Sequence, residues 1–72
     1  MMDPLERADR IVMAAERTRI ANGMTMNELA DMAKVPVSSL KKWMAGANKP
    51  GLYQMCRVLD ALGFELVVRR KV

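Results

Sequence analysis

The stretch Thr25-Met26-Asn27-Glu28-Leu29-Ala30-Asp31-Met32-Ala33-Lys34-Val35-Pro36-Val37-Ser38-Ser39-Leu40-Lys41-Lys42-Trp43-Met44-Ala45-Gly46 decides how this chain folds. The Thr25 hydroxyl can accept bonds from the free amides at a helix start, and Glu28, three residues on, can answer with its carboxylate. Leu29, Ala30 and Ala33 then recur at helical spacing, so a short helix with a compact inner face is predicted over about Met26 to Ala33. It cannot run on, because Pro36 has no amide hydrogen and pushes Val35 away from helical angles. A tight turn is expected at Lys34 to Pro36. A second helix follows over about Val37 to Ala45, with Leu40, Trp43 and Met44 three and four residues apart on one face and Gly46 as its stop.

On the N-terminal side, Asp3-Pro4-Leu5-Glu6 reads as another helix start, with Asp3 as cap, Pro4 in the first helical position and Glu6 completing a capping box. Leu5, Ala8, Ile11, Val12, Ala15 and Thr18 form one face of a helix reaching about Ala21, and Asn22-Gly23 ends it. On the C-terminal side, Ala47-Asn48-Lys49-Pro50-Gly51 is a loop by composition. Leu52, Met55, Val58, Leu59 and Leu62 mark a fourth amphipathic helix closed by Gly63. The period then changes. Phe64 to Arg70 alternates imperfectly, with Phe64, Leu66 and Val68 on one side, and is rich in β-formers. One strand is predicted there, with a frayed basic tail or a fifth helix as the alternatives.

The expected class is therefore mainly α, a single domain over residues 1–72 with four helices and one C-terminal strand. Seventy-two residues with 51% apolar content suffice for one core, but a chain this short buries only about 60% of its unfolded surface. A lone strand in a helical chain leaves backbone donors and acceptors open, and the same strand of a second copy is the simplest partner. Phe64, Leu66, Val67 and Val68 are the candidate interface of such a homodimer. No run approaches the roughly 20 apolar residues of a membrane span, and no cleavable leader is evident, so a cytoplasmic location is expected. One cysteine, Cys56, and no histidine leave no internal disulfide, no usual zinc set and no imidazole chemistry. With no nucleophile and base pair and no phosphate-cradling loop either, neither an enzyme nor a cofactor is expected.

The formal charge of +4 is unevenly distributed. Residues 1–32 carry four basic and six acidic side chains, whereas residues 33–72 carry eight basic and two acidic. A polyanion is drawn to the second half. With Leu40 and Trp43 turned inward, a rotation of about 100° per residue puts Ser38, Lys41, Lys42 and Ala45 on the outer face of their helix, with Val37 at its leading end. Ser38 can bond a base edge, Val37 can touch a thymine methyl, and the lysines can reach guanine acceptors or phosphates. Ala30 is the small residue that lets a supporting helix cross close behind. Trp43 belongs to packing rather than to base stacking, and the methionines at core phases are core fill.

Gly23-Met24-Thr25-Met26-Asn27-Glu28-Leu29-Ala30, then Val35, Ser38-Ser39-Leu40, Gly46, Pro50 and Leu59-Asp60-Ala61-Leu62-Gly63, resemble the Cro/repressor (XRE) helix-turn-helix family, whose fold is lambda-repressor-like. The helix-turn-helix itself would cover about residues 26–45. Beyond Gly63 the ending resembles HipB-like antitoxins and related small repressors, in which a C-terminal strand, here about residues 64–70, pairs across the dimer. The resemblance implies a sequence-specific transcriptional regulator, a bacterial or phage repressor that binds a palindromic operator in double-stranded DNA as a homodimer and controls its own promoter. The alternative it carries is an antitoxin that also holds a toxin protein. By position, Val37, Ser38, Lys41 and Lys42 are the base-reading candidates, and Arg19, Asn27, Ser39, Asn48 and Lys49 the phosphate candidates. The sequence departs from the family pattern at Met26, often a glutamine, at Lys34, usually glycine, and at Pro36, which replaces a hydroxyl cap.

Overall fold

The computed structural model describes residues 3–71. Among them the chain forms four helices, α1 (Pro4–Ala21), α2 (Met26–Ala33), α3 (Val37–Met44) and α4 (Leu52–Ala61). Each boundary has a local cause. The Asp3 carboxylate accepts the Leu5 and Glu6 amides at 2.8 and 3.1 Å, and Pro4 opens α1. The reciprocal half of that box, from the Glu6 side chain, is not made among the described residues. At α2 both halves are present: the Glu28 amide donates to Thr25 Oγ1 at 3.0 Å and the Thr25 amide to Glu28 Oε1 at 2.9 Å. Helix α3 ends one residue earlier than the sequence predicts, with Ala45 as its C-cap, and Leu62 likewise caps α4 instead of extending it.

Helix α2 packs against α3 and α4, and α1 against α3. The buried core is Ala15, Leu29, Ala30, Ala33, Val35, Leu40, Met55, Val58 and Leu59, with no polar or charged group buried among the described residues. Three alanines let the helix axes approach closely, and Leu29, Leu40 and Val58 fill the centre. The expected inner face of α1 is only partly realised. Ala15 is buried and Ile11 and Val12 are half-buried, but Leu5 (58% exposed) and Ala8 are exposed. Leu52, at the start of α4, is exposed as well.

The expected strand is corrected: residues 64–71 form neither a strand nor a helix among the described residues. A strand exists only as part of a hydrogen-bonded ladder, and a chain otherwise built of helices offers it no edge. The segment instead begins by closing α4, the Phe64 amide donating to the Leu59 carbonyl at 2.8 Å after Gly63 has turned through φ 84°. Phe64 and Leu66 then fall back towards α1 and α4, where Leu66 separates two shallow cavities of about 230 and 150 Å³. Val67 and Val68 remain exposed.

Candidate nucleic-acid interface

The interface is built from the turn between α2 and α3. Lys34 caps α2 in the left-handed conformation, φ 60° and ψ 43°, and the Val35 amide closes back on the Ala30 carbonyl at 3.1 Å. Val35 is buried in the crook of the turn. Arg57 on α4 reinforces it, its Nε donating to the Ala33 carbonyl at 2.9 Å. Pro36 then starts α3 with φ −63° and ψ 134°, and its carbonyl accepts the Leu40 amide at 3.0 Å. A proline has no side-chain acceptor, so no side chain caps the amides of Val37, Ser38 and Ser39. These donors, at the positive end of the helix dipole, are the chemistry an anion meets there. The sequence signal for them is the missing hydroxyl cap at Pro36.

Helix α3 is amphipathic in the expected sense. Leu40 is fully buried, and Trp43, Met44 and Val37 pack partly against the core. Ser38, Lys41 and Lys42 are exposed and, three and four residues apart, share one outward face. Val37, in the first turn of α3, divides its surface between core and solvent, and Ser39 is half-buried. At the far end, Gly46 takes φ 78°, and the Lys42 carbonyl accepts the amides of Ala47 and Asn48 at 2.9 and 3.4 Å. Asn48 is thereby folded against the end of α3, with exposed Lys49 following it.

The remaining phosphate candidates lie near the start of α2. Asn27 is exposed on the first turn, while Met26 packs against the core. Arg19 is already occupied. Its Nε donates to Glu16 Oε1 at 2.5 Å and its Nη1 to the Met24 carbonyl at 2.6 Å, which clasps the bend between α1 and α2. The hydrogen bond to Glu16 also raises the Arg19 pKa above its ordinary value. Lys49 has a partner as well, Asp9 of α1, with Nζ 2.6 Å from Oδ1. No local pattern in the sequence points to that pair, whose members stand 40 residues apart.

No helix among the described residues is long and apolar enough to cross a membrane. The family model for helix-turn-helix domains matches residues 16–68, from the last turns of α1 into the C-terminal segment. Neither the curated proteins nor the solved structures contain a match. The matched range contains the two short helices α2 and α3 and the tight turn that joins them. The chain belongs to the XRE-type helix-turn-helix family of DNA-binding transcriptional regulators.

Proposed function

We propose that the protein is a repressor that binds an inverted-repeat operator as a homodimer and regulates its own promoter. Helix α3 lies in the major groove, where Ser38, Lys41 and Lys42 meet base edges and Val37 contacts a thymine methyl. Ser39, Asn27, Asn48, Lys49 and, once released from Glu16, Arg19 contact phosphates. The observation that carries this reading is the outward face of Ser38, Lys41 and Lys42, set on a helix whose opposite face is anchored by fully buried Leu40. A reading face must be rigidly held and chemically free at once.

A second copy is supported by the apolar side chains that the C-terminal segment leaves uncovered: Phe64 and Leu66 are 41% and 39% exposed, and Val67 and Val68 more so. A second reading, an antitoxin that also holds a toxin protein, draws on Leu5 and Leu52, whose exposed side chains lie outside the C-terminal segment.

The test is selection of bound sequences from random duplex DNA, with the stoichiometry read from the same complexes. Two half-sites about 10 base pairs apart, bound by two chains, are expected. A single half-site bound by one chain refutes the dimer, and no sequence preference at all refutes base reading by α3.

A further inference from the structure

Lys49 sits in the loop between α3 and α4, beside Asn48 and the end of the reading helix. Its ammonium is not free. Nζ lies 2.6 Å from Oδ1 of Asp9, whose side chain is 47% exposed against 50% for the lysine. Both residues line a cleft of about 330 Å³ whose other walls include Trp43, Met44, Gly46 and Asn48. The ion pair therefore stands at the C-terminal end of α3, on the side of the molecule where the loop would meet a phosphate backbone.

We propose that Asp9 is an internal competitor for the phosphate site, a fixed carboxylate that holds down DNA affinity by occupying Lys49. The inference rests on the reading of Lys49 as a phosphate ligand. A phosphate that takes the ammonium must share it with Asp9 or displace it, and a displaced Asp9 faces the polyanion with no neutralising partner. Either outcome makes the contact weaker than that of an unpaired lysine. The competition involves no base edge, so it lowers affinity for all sequences alike and leaves the preference among them unchanged. Its size is that of an exposed ion pair, about two- to fivefold in affinity. It fades as added salt screens both partners.

The test is a cycle of four proteins, wild type, Asp9→Asn, Lys49→Gln and the double variant, titrated against a labelled random-sequence duplex of about 30 base pairs at about 50 mM salt. Thermal unfolding of each variant confirms that it is folded. Asp9→Asn is expected to tighten binding two- to fivefold in the wild-type background and to change nothing once Lys49 is glutamine. An equal gain in both backgrounds overturns the proposal, because loss of any negative charge would then suffice. No gain, or a loss, with Asp9→Asn also overturns it, even where Lys49→Gln weakens binding and the phosphate reading stands. If Lys49→Gln has no effect in either background, the phosphate reading of Lys49 fails and the proposal falls with it.

Discussion

Arg57 Nε donates to the Ala33 carbonyl at 2.9 Å and so fastens α4 to the last turn of α2. That carbonyl is among those a helix leaves unpaired at its C-terminus, and a guanidinium there also meets the negative end of the dipole. Tyr53, one turn earlier on α4, steadies the arginine: the guanidinium carbon lies 5.2 Å from the ring centroid, and Nη1 is 3.2 Å from the phenol oxygen. Since Lys34 and the turn follow directly, the contact fixes the direction in which α3 leaves α2.

Replacing Arg57 with methionine keeps much of the apolar stem and removes the donor. A cost of about 1 kcal/mol is expected for this half-buried, charge-assisted bond. In a domain of this size that lowers the melting temperature by about 4–8 °C. Thermal unfolding followed by circular dichroism measures it, and an unchanged midpoint would show that Arg57 anchors nothing.

The capping box of α2 gives stability a pH dependence. The bond from the Thr25 amide, and then the contact with the Thr25 hydroxyl, hold the Glu28 carboxyl below its ordinary value of 4.5. A depressed pKa in the folded state means the contribution is present above the unfolded value and is lost as pH falls through the folded one. The gap in melting temperature between wild type and Glu28→Gln should therefore be widest above about pH 5 and close at lower pH. Thr25→Ala, which removes the cap itself, should cost about 1 kcal/mol at neutral pH.

Lys34 occupies a conformation that costs a side-chain-bearing residue about 1 kcal/mol or more. Lys34→Gly is expected to raise the unfolding free energy by up to about 1 kcal/mol, read as a higher midpoint in urea, and a β-branched residue such as Val to lower it. Equal midpoints for Gly and Val at this position would contradict the left-handed turn.

The two contact classes should separate in binding experiments. Ser38→Ala and Lys42→Ala alter which base is preferred, with about 1–3 kcal/mol of discrimination at stake per good bidentate contact. Lys49→Ala weakens specific and random DNA by the same factor. Losses that are equal on both DNAs for all of these variants would abolish the distinction.

If the proposed dimer forms through the C-terminal segment, deleting residues 64–72 converts it to a monomer in sedimentation while the helical circular dichroism persists. A truncated chain that remains dimeric would move the interface elsewhere, to the exposed Leu5 and Leu52 first.

The helices were readable because their causes are local. Thr25 with Glu28, Pro36 after Val35, and Gly46 after Met44 act within one turn of chain, and they set the bounds of α2 and α3 to within a residue. The inward turn of Leu40 and Trp43 follows from period alone. What the sequence did not disclose depends on partners distant along the chain. Arg57 looks like any surface arginine until Ala33 is beside it, and Lys49 looks like a free cation until Asp9 is. The position of Arg19 suggests a phosphate ligand, whereas its engagement with Glu16 and the Met24 carbonyl gives it a structural task. The C-terminal segment forms no strand among the described residues for a different reason: β-forming residues express that preference only beside another strand.

The core contains no polar group, and from α3 it takes fully only Leu40. Ser38, Lys41 and Lys42 share no atoms with it, so substitutions there are close to neutral for folding. The exposed polar face and the anchoring face are thus carried by separate residues of one short helix. Under the proposed base reading, such a scaffold can be redirected to a new DNA sequence by a few changes without relearning how to fold, and drift at those positions is restrained by the DNA site rather than by the protein's own stability.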